Sequence, residues 1–580
     1  MKKKYKAITS ILIVIAIITS GYYVYINYFT EEVTPEKEPV KEIDDRISPL
    51  CTQAVFFEIK RIRIHGIIEQ MIEPTPLVKA IRNLPVKDKR YQKLGTTGDN
   101  IIAFIDGMIP GFGWDEKPSF RYNLEMDGYL HEDPLIYNTW DTDFIFKEPY
   151  KVVGQGNETA DIEFQIIEKV PVKRLFRKET TDKEMDAFKV TYDFRTGRWT
   201  GDDSFNDSDG YGYFNCEDYE IWFGIYQTDN DKDGIPYWTE VNILETDPTV
   251  DDSKLDPDND GIPTAWEWKW GYDPFTYDNH STLDPDLDGL QNTEEYFMRK
   301  YLANPYHGEI YIEVDWSETP PFKPYKIEMQ PGKILPIKRP QIVKTNDWGM
   351  DCTFWEESQQ MIMDRFSEHN ITVLIDDGCI DTGGNHGGGD IFPIIGGDGK
   401  SSYDGDTGYF SKLYNTIFDD ERKGIFRYLV ITHTGGYTYN MDFGGCYDTT
   451  VIQKYPNFFK GVNGNAVVPR TQRIGQAVAV MHEMGHTCGI SYEHCGGVDN
   501  FLDDGTWDNY ESCMNYVKYG QRLFDYSDGS HGENDVDDWG SLYLGHFQTT
   551  EDELEGVGFN PIIYGREDPR YDEKDKRRDT

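Results

Sequence analysis

The stretch Ala477-Val478-Ala479-Val480-Met481-His482-Glu483-Met484-Gly485-His486-Thr487-Cys488-Gly489 decides how the rest of the chain is read. Histidines four apart share one face of a helix, so His482 and His486 can reach a common metal ion. Glu483 lies beside that face, placed to take a proton from water held at the ion. Ile474, Ala477, Val478, Val480 and Met481 supply the buried side of the helix. Gly489 sits where a glycine leaves a helix in the left-handed conformation and turns the chain back. Downstream come His494-Cys495-Gly496-Gly497 and then Ser512-Cys513-Met514-Asn515-Tyr516.

With these residues in this order the chain resembles the metzincins, zinc endopeptidases whose HExxHxxGxxH motif is followed by a tight turn bearing methionine. The resemblance is greatest to bacterial and archaeal members. It implies an α/β zincin (metzincin-like) catalytic domain with one catalytic Zn2+, held by His482, His486 and His494. Glu483 is then the general base, Met514 the turn methionine beneath the metal, and Tyr516 a catalytic residue that binds the metal or steadies the oxyanion. The family spacing puts the third ligand at Tyr492, and His494 comes two residues later. Glu493, Tyr492 or a downstream carboxylate such as Asp499 are the alternatives. Cys495 beside His494 and Cys513 beside Met514 suggest a disulfide tying ligand to turn.

A second device occurs three times. Asp229, Asp231, Asp233, Gly234 and Glu240 stand at positions 1, 3, 5, 6 and 12 of a loop. Asp256, Asp258, Asp260, Gly261 and Glu267 repeat it, as do Asp284, Asp286, Asp288, Gly289 and Glu295. Alternating carboxylates, a glycine for the sharp turn and a closing glutamate are the donor pattern of Ca2+. The near-constant spacing marks an internal repeat with about three structural Ca2+ ions. Pro236 and Pro263 argue against full EF-hands. The segment more closely resembles thrombospondin type 3 or dockerin calcium repeats.

Before the loops, Phe188, Val190, Tyr192 and Phe194 alternate with polar residues, as do Ile162, Phe164 and Ile166, and Tyr219, Ile221, Phe223 and Ile225. Period-two strands between Gly, Asn and Asp clusters predict an antiparallel β-sandwich, which looks C2-like. Asp202 to Asp209 is a candidate loop for calcium or lipid there.

The 580-residue chain carries a net charge of −45, which argues against a nucleic-acid partner and suits divalent cations. Ala7 to Phe29 contains no charged side chain and follows Lys2, Lys3, Lys4 and Lys6, predicting a transmembrane anchor with the rest of the chain outside. A cleaved signal peptide, and hence secretion, is the alternative. Eight cysteines in an exported chain allow disulfides.

The organisation expected is therefore multidomain. A transmembrane helix (1–29) and a stalk (30–50) precede the β-sandwich (51–227). The three calcium-binding repeats (228–304), the metzincin-like catalytic domain (305–548) and a polar tail (549–580) follow. The function expected is a membrane-anchored extracellular zinc metalloendopeptidase acting on protein or peptide substrates. The alternatives are a calcium-dependent cell-surface or adhesion protein with a degenerate zinc site, and a zinc hydrolase acting on a non-peptide bond. Oligomeric state has no signature.

Overall fold

The computed structural model describes residues 43–72, 117–317 (without 145, 147, 155, 175–176 and 206–209), 327–331, 338–342, 354–378, 388–392, 417–418, 422, 424–432, 443–446, 449–453, 459–460, 466–467 and 470–545 (without 493, 501 and 503). In the first part the alternating segments form strands. Sheet one is β5-β1-β10-β9, with β1 Ala54–Ile64, β5 Tyr150–Val153, β9 Gly212–Asn215 and β10 Tyr219–Gln227, all antiparallel. Sheet two is β3-β2-β6-β7-β8, with β2 Ser119–Met126, β3 Tyr129–Glu132, β6 Thr159–Arg174, β7 Arg177–Asp193 and β8 Arg198–Gly201; β4 Tyr137–Asn138 adds to β2. Along β2 every second side chain is buried, the pattern of a sheet wet on one face. Phe57 and Phe223 of sheet one meet Phe164 and Phe188 of sheet two, with centroids of the contacting rings 5.0 to 6.4 Å apart. These aromatic rings pack in the shared core beside buried aliphatics such as Ile62, Leu124, Ile162 and Ile221.

Three acidic loops follow, with the short helices α2 Thr264–Lys269 and α3 Asn292–Met298 behind the second and third; α1 is Ile67–Ile72, after β1. Pro263 immediately precedes the first residue of α2, where its fixed φ and missing N–H cost nothing. β11 Glu309–Ser317 then starts a further sheet, and β12 Ile327–Pro331 with β13 Lys338–Ile342 forms a separate antiparallel pair. In the further sheet β11 runs parallel to β14 Thr372–Asp376, β15 Ile391–Phe392 and β16 Phe426–Thr432. β16 runs parallel to β18 Thr449–Gln453, and β17 Phe443–Cys446 is the antiparallel edge. β11 is buried continuously from Glu309 to Asp315, as a strand covered on both faces must be. Helix α4 Glu356–Ser367 packs on α5 Arg470–Thr487, where Ser358 Oγ donates to the Arg473 carbonyl at 2.9 Å and Glu357 pairs with Arg473 at 2.8 Å. Helix α6 is Tyr516–Gly520.

The expected fold class is corrected in two respects. The described chain is dominated by strands, and α4 and α5 are its only helices longer than ten residues among the described residues, so it does not supply the α/β zincin domain that was expected. No described helix is long and apolar enough to cross a membrane, which overturns the single-pass membrane anchor; Ala7 to Phe29 lies outside the described residues. Within the repeat segment Ile262, Trp266 and Trp270 form a small buried cluster of their own. One cluster of buried residues runs from Val55 and Phe223 through Met363 and Phe366 to Met481 and Met514.

Buried charge crosses the same seam. Arg63 of β1 donates to Asp364 of α4 at 2.5 Å and to Gln360 at 3.2 Å, and also pairs with Glu220 of β10. Arg61 donates to Asp141 at 3.0 Å, and Gln360 reaches Asp141 at 3.2 Å. Further on, Trp539–Ser541 forms a single 3-10 turn.

Candidate metal centre

Helix α5 ends as its sequence dictates. Gly489 has φ +87°, Ile490 N–H donates to the Gly485 carbonyl at 2.9 Å, and Gly489 N–H donates to the His486 carbonyl at 3.0 Å. This is a Schellman closure with glycine at the left-handed position. It folds the Ile490 carbonyl back over the helix end, where it accepts from His486 Nδ1 at 2.7 Å. His482 Nδ1 meets the Cys513 carbonyl at 2.9 Å. A carbonyl only accepts, so in both rings Nδ1 carries the proton and Nε2 keeps its lone pair.

Those two Nε2 atoms face each other at 3.2 Å. Asp499 Oδ1 completes the group, 3.2 Å from His482 Nε2 and 3.6 Å from His486 Nε2. Three electron-pair donors this close repel one another unless a cation lies among them, and two imidazoles with a carboxylate are a donor set for Zn2+. The residues present therefore fit the metal.

Asp499 is held by the backbone. Its φ is +56°, a conformation that Asp tolerates better than most residues, and its N–H donates to the Met514 carbonyl at 2.9 Å. The methionine turn thus fixes both His482, through the Cys513 carbonyl, and Asp499, through the next one. Met514 is fully buried, and a Cβ added at Gly485 would lie 2.4 Å from its sulfur. Only glycine at that helix position lets the turn approach so closely. Asn515 caps α6 by accepting from Val517 N–H at 2.9 Å, which sets Tyr516 in the first turn. The Tyr516 ring stacks on His482, centroids 5.0 Å apart and planes 23° apart, and Tyr519 meets the same ring edge-on at 5.3 Å. Glu483 is fully buried beside His482.

His482, His486, Glu483, Met514 and Tyr516 thus gather at one place, but His494 does not join them. Its Nε2 lies 3.1 Å from Asp538 Oδ1, a buried carboxylate that also accepts from the Tyr510 hydroxyl at 2.8 and 2.9 Å. In this structure Asp499, one of the alternatives, stands with His482 and His486 in the place expected of His494. The physical reason is that the buried Asp538 has its own demand for donors, which His494 satisfies. Tyr492 is 70% exposed, and Glu493 lies outside the described residues. Cys488, Cys495 and Cys513 are all buried free thiols, so the Cys495–Cys513 disulfide does not form.

The three acidic loops form as their spacing predicts. Gly234, Gly261 and Gly289 have φ of +91°, +99° and +96°. Each glycine N–H donates to the first aspartate of its loop, Asp229 at 2.9 Å, Asp256 at 3.1 Å and Asp284 at 3.0 Å. Asp229, Asp231 and Glu240 bring ligand oxygens together in the first loop. Burial and then the charges of Asp233, Asp231 and Asp229 push the Glu240 carboxyl up to about 9. Burial and neighbouring carboxylates likewise push Asp286 and Glu295 well above the usual range. So much convergent negative charge calls for a cation. The aspartates before Pro248 and Pro274 close turns instead: Asp247 accepts from Thr249 Oγ1 at 2.7 Å and Asp273 from Thr276 Oγ1 at 2.9 Å.

Sequence reasoning missed what comes from the connectors. Asp252, His280 and Glu309 each follow one loop and turn back towards its fifth-position aspartate. The loop signature covers only twelve positions, so residues beyond it give no local signal. No family model matches this chain, and no curated protein matches it.

Proposed function

We propose that the chain is a zinc-dependent hydrolase of peptide bonds, with His482, His486 and Asp499 as metal ligands and Glu483 as general base. The observation that carries this is the convergence of both Nε2 lone pairs and Asp499 Oδ1 behind rings whose Nδ1 atoms are committed to carbonyls. A bound Zn2+ would supply Lewis acidity to a carbonyl and to water. Glu483, buried next to His482, takes the proton from the attacking water and passes it to the leaving amine. Tyr516, aligned by its stack on His482, is placed to steady the oxyanion. The methionine turn holds His482 and Asp499 in place through the Cys513 and Met514 carbonyls. The likeness of His482 to Gly489 and Ser512 to Tyr516 to the metzincin motifs supports the peptide bond as substrate. The three acidic loops hold structural Ca2+ in this reading, because their carboxylates converge in the donor pattern of that ion.

The test is Glu483→Gln in the full chain, assayed on unfolded protein with zinc content measured in parallel. Zinc should stay bound while hydrolysis falls by about 10²- to 10⁴-fold, the contribution of a general base. Hydrolysis near the wild-type rate would reject the mechanism.

A further inference from the structure

The three loops share one more feature, supplied by the connector after each. Asp252 N–H donates to Asp233 Oδ2 at 3.3 Å, Asp278 N–H to Asp260 Oδ2 at 3.2 Å, and Glu309 N–H to Asp288 Oδ2 at 2.9 Å. Beside that bond each connector places a buried side chain. After the first loop it is Asp252, whose carboxylate gathers with Asp233 and Glu240. After the third it is Glu309, whose charge acts on Glu295. After the second it is an imidazole. His280 Nε2 lies 3.2 Å from Asp260 Oδ2 and 3.6 Å from Glu267 Oε1.

The second loop is thus a mixed nitrogen and oxygen site in a row of oxygen sites. The His280, Asp260 and Glu267 side chains are all fully buried. His280 Nε2 and both Glu267 carboxylate oxygens have no hydrogen-bond partner. The ring is clamped edge-on by Trp266 at 6.0 Å and Tyr272 at 4.8 Å, so it does not swing away. Its Nδ1 lies 2.8 Å from the side-chain amide of Asn292. The near atom is the amide nitrogen Nδ2, and Asn292 Oδ1 has no hydrogen-bond partner; turned over, the amide would accept from Nδ1–H through Oδ1 and leave Nε2 its lone pair for the site, as at His482.

We propose that Asp260, Glu267 and His280 bind a transition-metal dication of the Zn2+ or Co2+ class, while the corresponding positions of the first and third loops take Ca2+. Hard Ca2+ prefers oxygen throughout, whereas an imidazole nitrogen suits the borderline dications. Exchanging one carboxylate for imidazole also removes one negative charge, which weakens the claim of Ca2+ on that position. This rests on the reading of the loops as cation sites, but it concerns only which cation the middle one selects.

The experiment titrates the full chain with Co2+ in saturating Ca2+, reading bound metal by dialysis and the visible absorption of nitrogen-ligated cobalt. Two equivalents per chain are expected, one at His482 and His486 and one at His280. His280→Asp copies the side chain found after the first loop and should fold as the parent does, checked by circular dichroism. It should lose one cobalt equivalent with its absorption and gain Ca2+ binding; His482→Ala should remove the other equivalent instead. A folded His280→Asp protein that binds as much cobalt as the parent would overturn the proposal. So would a single cobalt equivalent in the parent, which would leave His280 as an imidazolium counter-charge to Asp260 and Glu267. Absence of Ca2+ uptake with the His280-dependent cobalt retained would reject the calcium reading and leave this one standing.

Discussion

The acidic loops and the centre on helix α5 gather metal-binding side chains by opposite means. In each loop the aspartates and the closing glutamate sit within a dozen residues, around a glycine whose positive φ turns the chain, and the connector beyond returns one more side chain. At α5 only two donors are local. The third, Asp499, comes from beyond the Schellman turn and is positioned by a backbone bond to Met514. The loops therefore carry most of their geometry in their own spacing, and the connectors complete it. The α5 centre depends on the packing of Met514 against Gly485, and through the shared core on α4 and β1.

The largest effect should come from cutting that dependence. Arg63→Ala leaves Glu220 and Asp364 buried without their partner, which costs about 3–5 kcal/mol for a broken buried pair. Thermal unfolding in excess Ca2+ should show the sandwich and the α5 region melting together at a lower temperature. Two separate transitions, with only the sandwich shifted, would show that the shared core does not couple them.

Next is a change confined to one loop. Glu240→Gln removes a closing carboxylate and should weaken calcium binding at the first loop by on the order of 10²-fold, because affinity follows ligand charge. Zinc affinity at α5 should not change. A parallel loss of zinc would show that the two regions are not independent.

The same contrast should appear with pH once Ca2+ is chelated. Glu240 has a folded-state pKa raised from 4.5 to about 9, so between those values the folded chain binds the proton and the unfolded chain does not. Its contribution is favourable below the unfolded pKa and is lost as pH rises through the folded one. Chelated protein should resist proteolysis in the loops better at pH 5 than at pH 8. Calcium-loaded protein should show the reverse order or none.

A smaller effect is expected at the cap of α6. Asn515→Ala should cost about 1 kcal/mol of stability, the usual value of an N-cap. It should lower hydrolysis by disturbing Tyr516 while leaving calcium uptake untouched. Unaltered hydrolysis would remove Tyr516 from the mechanism.

What was legible in the sequence follows this division. The alternation from Phe188 to Phe194, the three loops, helix α5 and the role of Gly489 are local patterns, and each has its expected form. The burial of Arg61 and Arg63 has no local signal, because nothing near them in sequence announces Asp141, Glu220 or Asp364. That burial joins segments expected to be separate domains. Ligand chemistry alone favours His494 over Asp499, because imidazole is a common zinc ligand. The competing claim on it comes from Asp538, well downstream, and only the fold reveals that claim. His280 was passed over because a lone histidine between acidic loops has no motif of its own.

The central claim is that Asp499, and not His494, completes the metal centre. Zinc affinity of Asp499→Ala and His494→Ala, measured by competition with a chromophoric chelator in the folded full chain, tests it directly. Loss of a ligand should exceed the roughly 10- to 100-fold penalty of losing an outer partner, so Asp499→Ala should fall by more than about 100-fold and His494→Ala by much less. The opposite order, with His494→Ala losing zinc and Asp499→Ala retaining it, would contradict the account.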